Sequence, residues 1–159
     1  MAEETVLRRV TDRMRALCSK REYCSSEIKK KLNDVLEGDN EAVAGILDSL
    51  KKDGYVDDSR YASAFARDKS SIAGWGNIKI RHALAAKGVE RDVVEAALKE
   101  IDPEKADSRL EKLAANRYKA LKDDPQCRLK MLRYLLGRGY SYDEVSSVTE
   151  LLMKRYEEF

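Results

Sequence analysis

Only two prolines and eight glycines punctuate the 159 residues, which leaves little material for a turn-rich β architecture and favours helices. The single histidine, His82, has no HExxH companion, and its basic-helix setting suits a structural side chain better than a catalytic base. No GxxxxGK[ST] loop occurs, so the usual cradle for nucleotide phosphates is missing. Cys18, Cys24 and Cys127 are odd in number and form no CxxC pair, as expected of reduced thiols in a cytoplasmic protein. The longest apolar run, Ala42 to Leu47, falls far short of a membrane span or a signal-peptide core. The acidic start, Met1-Ala2-Glu3-Glu4, also argues against export. An excess of one charge is lacking too: 31 Lys and Arg face 29 Asp and Glu, so net charge selects no partner class. These absences point away from an enzyme and toward a chain that needs no metal or cofactor.

What the chain does have is a helical pattern that returns about every fifty residues. Leu84-Ala85-Ala86-Lys87-Gly88 aligns with Leu135-Leu136-Gly137-Arg138-Gly139, and a fainter version ends at Gly38. Each glycine is followed by a second periodic run. These are Val43, Ile46, Leu47 and Leu50, then Val93, Val94, Ala97 and Leu98, then Val145, Val148, Leu151 and Leu152. A period of this size marks stacked repeats, whose long surface suits a binder better than a pocket enzyme.

The spacing predicts nine helices. The first covers about residues 4 to 19, with Val6, Val10, Met14 and Leu17 inward. The second runs from Ser26 to Glu37 through Ile28, Leu32 and Val35, and the third from about 40 to 53. Asp57-Asp58 opens the fourth, whose Tyr61, Ala62, Phe65 and Ala66 face inward as far as Ala73-Gly74-Trp75-Gly76. Asn77 is placed to cap the fifth, which carries Ile80 and Leu84, and the sixth occupies about 90 to 101. Asp102-Pro103 starts the seventh, with Leu110, Leu113, Ala114, Tyr118 and Leu121 on its inner face, and Asp123-Asp124-Pro125 breaks it. The eighth, about 126 to 137, offers Leu129, Leu132, Leu135 and Leu136. Ser141 and Glu144 make a capping box for the ninth. The expected architecture is all-α: three tandem three-helix repeats over 1–56, 57–101 and 102–159, forming an elongated, curved array.

Near-neutrality hides a division of charge. Residues 8–31 hold nine Lys or Arg against three acids, and residues 126–139 hold Arg128, Lys130, Arg133 and Arg138 with no acid. Residues 77–91 hold Lys79, Arg81, Lys87 and Arg91 against Glu90. By contrast, seven acids crowd residues 90–107 and five crowd 141–159. Single clusters of this kind are ordinarily solvated helix faces, but their recurrence suggests a basic stripe beside an acidic one. Lys29, Lys30, Lys31, Lys79, Arg81, Arg128, Lys130 and Arg133 are the candidate partner contacts. A partner presenting both signs fits better than simple coating of DNA.

The most distinctive stretch is Leu50-Lys51-Lys52-Asp53-Gly54-Tyr55-Val56-Asp57-Asp58-Ser59-Arg60-Tyr61-Ala62. Read physically, a helix ends at Gly54, and a doubly acidic cap with Arg60 in reach opens the next helix. That chemistry describes a junction lock rather than a catalytic Asp pair. Gly74-Trp75-Gly76 lacks the strand and third glycine of a dinucleotide site and reads as an interhelical turn, with Trp75 packing across a junction. Tyr134 and Tyr140 likewise suit core or interface.

The stretch from Leu50 to Ala62 resembles the signature of the RecX family, bacterial regulators of the RecA recombinase. The likeness continues through Arg67, Gly74-Trp75-Gly76, Ile80, Leu84 and Lys87-Gly88-Val89. It returns at Leu132-Arg133-Tyr134-Leu135-Leu136-Gly137-Arg138-Gly139-Tyr140 and Asp143-Glu144-Val145. Upstream, Arg21-Glu22-Tyr23, Glu27-Ile28 and Lys31-Leu32 look like the family's first module. The structural signature comprises Gly54, Tyr55, Asp57, Asp58, Arg60, Tyr61, Gly88 and Gly139. Cys24 stands where the family usually has a capping serine, so Ser25 or Ser26 is expected to take over that cap. Asn77 stands where proline often follows the glycine pair.

The resemblance implies a monomeric three-repeat protein that binds RecA and the RecA–single-stranded DNA filament in its helical groove. Strand exchange, ATP hydrolysis and filament growth would then be restrained by occupation, without chemistry. The competing reading is a direct DNA-binding protein with helix-turn-helix-like repeats, which predicts strongly salt-dependent binding to naked DNA.

Overall fold

Residue spacing becomes architecture through which side of each helix is apolar. In the computed structural model, which describes residues 3–157, all regular structure among the described residues is helical. The helices are α1 (Glu4–Lys20), α2 (Ser25–Leu36), α3 (Asn40–Lys52), α4 (Asp58–Ser71), α5 (Asn77–Ala86), α6 (Arg91–Lys99), α7 (Pro103–Leu121), α8 (Cys127–Gly137) and α9 (Tyr142–Glu157). Met1 and Ala2 of the acidic start, and Glu158 and Phe159, lie outside the described residues.

Compactness divides the chain into two units. The first holds residues 1–64 and 84–94, and the second holds 65–83 and 95–159, so α4, α5 and α6 each supply residues to both. In the first unit, Val10 and Met14 of α1 meet Ile28, Leu32 and Leu36 of α2, with Val43, Ile46 and Leu50 of α3. Steps of three and four place these side chains on one stripe per helix. In the second unit the core is Leu110, Ala114 and Tyr118 of α7, Cys127, Met131 and Leu135 of α8, and Val145, Val148 and Leu152 of α9. Tyr118 also stacks on Tyr156, their rings 4.9 Å apart. Each fully buried Leu, Ile or Met contributes about 1.5–3 kcal/mol of transfer free energy.

The eighth helix corrects the sequence reading. Its inner stripe is Cys127, Met131 and Leu135, at strict steps of four, while Leu129 is 49% and Leu136 41% exposed. Four leucines cover more of a helix's circumference than two neighbouring helices can shield, and the straighter stripe wins. Val6, Val35 and Leu151 are displaced outward in the same way.

The recurring glycines end helices by one shared device. Tyr55 N–H donates to the Leu50 carbonyl (2.9 Å), Val89 to Leu84 (3.2 Å) and Tyr140 to Leu135 (3.5 Å), each bond arching over a left-handed glycine at 54, 88 or 139. This closure satisfies carbonyls that a helix end would otherwise strand, and the three acceptor leucines are fully buried. At the first repeat the same closure sits one residue earlier: Glu37 takes the left-handed place (φ 49°), and Gly38 N–H donates over it to the Asn33 carbonyl (3.4 Å). The fainter sequence match reflects that shift of register.

Asp39 and Asp102 cap α3 and α7 through the backbone N–H of Ala42 and Glu104. Ser141 and Glu144 complete a reciprocal box at 3.1 and 3.2 Å. Asn77 is no cap. It is already the first helical residue, and the Gly76 carbonyl takes the first α5 hydrogen bond, from Ile80.

Candidate partner-binding surfaces

In the first unit, the acidic pair after Val56 splits its work. Asp57 caps α4 by accepting from Arg60 N–H at 3.1 Å. Asp58 reaches the start of α2, where its two oxygens accept from Ser25 N–H (2.7 Å) and Ser25 Oγ (2.6 Å). Arg60 turns from both aspartates toward Glu22 (2.6 Å) and the Gly54 carbonyl (3.0 Å), so the partner expected from sequence spacing is replaced by a remote one. Arg60 thus ties Gly54, Asp57 and Glu22 together, while Asp58 is bound separately to Ser25. Tyr55 and Tyr61 lie next to these residues in the chain.

The serines do not take over the α2 cap. Cys24 keeps it, its N–H donating to Glu27 Oε1 at 3.0 Å, while Ser26 Oγ donates to the Lys87 carbonyl, next to Gly88. Burial would raise Glu27, but hydrogen bonds from Cys24 and Lys87 outweigh it and hold the carboxyl below the usual glutamate range. Burial beside the Glu27 charge pushes Tyr61 up to about 12, and burial also raises the thiols of Cys18, Cys24 and Cys127.

In the second unit, the Gly74–Gly76 turn lies against Arg138-Gly139-Tyr140 as main chain on main chain. Gly76 N–H donates to the Arg138 carbonyl (2.8 Å) and Ile78 N–H to that of Gly139 (3.0 Å). Tyr140 OH donates to the Gly74 carbonyl (3.0 Å), and the Arg138 guanidinium donates to that of Ala73. A methyl group on Gly76 would stand 2.4 Å from Gly139 O, and one on Gly139 would stand 2.3 Å from Lys79 Cβ. Only glycine fits at either point. Trp75 carries Phe65 in a T-shaped contact (6.3 Å) and the ammonium groups of Lys69 (4.7 Å) and Lys79 (4.5 Å). The spacing of the two glycine motifs gave no sign that they meet; the tight glycine pair on each side was the available signal.

An open cleft of about 380 Å³ adjoins this seam, lined by Trp75, Tyr140, Leu98 and Ile101, with the Arg81–Glu95 pair and Lys99 among its charges. Among the described residues no group of three or more His, Cys, Asp or Glu is arranged to hold a metal. No described helix is long and apolar enough to cross a membrane.

The nominated cations fall into two classes. Arg81 forks onto Glu95 (2.6 and 3.3 Å), Arg128 onto Glu150, and Lys130 onto Asp124, which that ammonium and the Gln126 N–H hold below the usual aspartate range. The acids missing from residues 126–139 are supplied by α9 and the preceding loop. Lys29, Lys30, Lys79 and Arg133 have no carboxylate partner among the described residues, and Lys31 lies over the Tyr23 ring (5.7 Å). Lys69, overlooked in the sequence because its helix is near neutral, joins that unpaired group.

Residues 57–98 match the family model described as RecX, second three-helix domain, and residues 105–149 that of the third. The regulatory protein RecX of Chromohalobacter salexigens is 33% identical over 129 residues, covering 81% of this chain and 83% of that protein. That of Clostridium botulinum (strain Alaska E43 / Type E3) is 36% identical over 132 residues, and there the match spans 60% of the relative's length. The crystal structure of RecX from Lactobacillus salivarius superposes with a TM-score of 0.85 over 94% of this chain and 98% of that one, at 20% identity. A second RecX crystal structure gives 0.82 over 91% and 72%, at 24% identity. At these identities the superpositions establish a shared fold.

Proposed function

The chain belongs to the RecX family of regulatory proteins, and on that premise we propose that it restrains RecA by occupying the groove of the RecA–single-stranded DNA filament. Strand exchange, ATP hydrolysis and filament growth fall because a bound protein stands in the way, with no bond made or broken. The observation that carries this reading is identity of one third across four-fifths of both chains in the Chromohalobacter relative. The division into repeats at 1–56, 57–101 and 102–159, monomeric behaviour and a cytoplasmic location belong to the same reading. Several modest contacts from successive repeats would combine through effective concentration.

The test adds the full chain to RecA assembled on single-stranded DNA and follows ATP hydrolysis and filament length. Both should fall at stoichiometric ratios; no change in either rejects the reading. Among the nominated contacts, Lys29, Lys30, Lys79 and Arg133 are the stronger candidates, because Arg81, Arg128 and Lys130 already face carboxylates of this chain. Arg133→Glu should therefore weaken inhibition more than Arg128→Glu.

The exposed, unpaired Lys29 and Lys30 also favour a second reading, direct DNA binding. It requires naked DNA to bind as tightly as the filament, with a steep salt dependence.

A further inference from the structure

We infer that the seam joining the Gly74–Gly76 turn to Arg138–Tyr140 is a protein-docking surface: Ile72 is its apolar anchor, and Lys69 and Lys79 meet acidic side chains around an apolar socket on the partner. The inference rests on the reading that the partner is a RecA polymer and assigns the part of this chain that touches a protomer.

Ile72, one residue beyond α4, is 83% exposed, while Ile78 and Leu136 are 39% and 41% exposed. Isolated apolar side chains on a surface are ordinary, but these three flank one seam. Two adjoin bonds that cross it: the Arg138 guanidinium donates to the carbonyl of Ala73, next to Ile72, and Ile78 N–H donates to the Gly139 carbonyl. Leu136 lies in the last turn of α8, where its carbonyl accepts from Gly139 N–H.

Charge on this surface is available as well. Lys69 and Lys79 have no carboxylate partner among the described residues, and both ammonium groups rest within 5 Å of the Trp75 centroid, at 4.7 and 4.5 Å. Held against an aromatic ring, they lose little freedom on meeting a carboxylate. The scaffold below is stiff, since Gly76 and Gly139 meet without room for a methyl group. An apolar centre beside an aromatic ring, with charges at its edge, is the ordinary anatomy of a protein interface.

A nucleic-acid occupant fits less well. A phosphate track would use the cations and gain nothing from Ile72, Ile78 or Leu136. Trp75, crowded by Phe65 and two ammonium groups, is not the bare platform on which bases stack.

The experiment measures affinity of the full chain for RecA filaments immobilised on single-stranded DNA, and separately for the same DNA without RecA. Unaltered protein tests the RecA reading: no filament binding defeats that reading, and this assignment with it. Given filament binding, Ile72→Ser should weaken it at least about tenfold. Its melting temperature and its affinity for naked DNA should stay unchanged. The Lys69→Gln, Lys79→Gln double variant should weaken filament binding severalfold and flatten its salt dependence. Filament binding by Ile72→Ser equal to that of the unaltered chain overturns the assignment while leaving the RecA reading intact. Equal losses on naked DNA and on filaments overturn it in favour of a nucleic-acid contact. If the lysine variant melts early, Ile72→Ser decides alone, because that side chain supports nothing in the fold.

Discussion

Replacing Gly76 by alanine drives a methyl group into main chain. Its carbon would lie 2.4 Å from Gly139 O, 2.5 Å from Gly139 C and 2.6 Å from Tyr140 N, where about 3.5–4 Å is comfortable between carbons. All three obstacles are backbone, so no rotamer change relieves them and the seam must part by about 1 Å. Parting strains the Gly76–Arg138 (2.8 Å), Ile78–Gly139 (3.0 Å) and Tyr140–Gly74 (3.0 Å) hydrogen bonds. Each is worth about 1 kcal/mol net, and overpacking adds about 1–3 kcal/mol. Gly76 is not left-handed, so alanine recovers up to about 1 kcal/mol by restricting the unfolded chain. With all three bonds lost, a net cost of about 3–6 kcal/mol follows, lowering Tm by roughly 6–24 °C in a chain of this size. Gly45→Ala is the matched control: Gly45 sits inside α3 with no heavy atom within 4 Å of the new carbon, so alanine should stabilise by about 0.5–1 kcal/mol. Urea unfolding followed by far-UV circular dichroism compares the three proteins. A Gly76→Ala midpoint at or above that of the unaltered chain would refute the packing argument.

Asp58→Ala should cost more than Asp57→Ala, about 2–3 against about 1 kcal/mol, because it strands two Ser25 donors whereas Asp57 supplies one cap; equal urea midpoints would contradict this. Glu27 is held below its ordinary range when folded, so the stability it contributes is complete above that range and disappears as pH falls through the lowered value. Glu27→Gln should accordingly flatten the loss of stability between about pH 5 and 3, read by urea titration across that window. Thr149 is fully buried and its Oγ1 has no hydrogen-bond partner among the described residues, so Thr149→Val should raise stability by about 1 kcal/mol; a drop of that size would mean the hydroxyl is satisfied.

The sequence carried the helices because backbone rules are local. Asp102-Pro103, Ser141 with Glu144, and the glycine after each apolar stripe act within a few residues, and the structure realises them where the spacing says. What failed was whatever a distant residue decides. Leu129 and Leu136 satisfy helical periodicity as well as Met131 does, and only the reach of α7 and α9 chooses between them. Ser25 is already the first residue of α2, and its two donors serve a carboxylate 33 positions away, that of Asp58. Charge was the least legible feature. Arg128 and Lys130 look unopposed along the chain, yet Glu150 and Asp124 oppose them in space, whereas Lys69 sits in a helix whose local balance hides it.

The chain's one indole lies on the glycine seam, so the molecule carries its own optical gauge of that joint. Tryptophan emission reports the polarity around Trp75 and nothing elsewhere, while helical ellipticity reports every helix at once. A red shift at denaturant levels that leave ellipticity intact would mark the seam as the weakest link. Coincident transitions would mean that the joint yields only when the helices do.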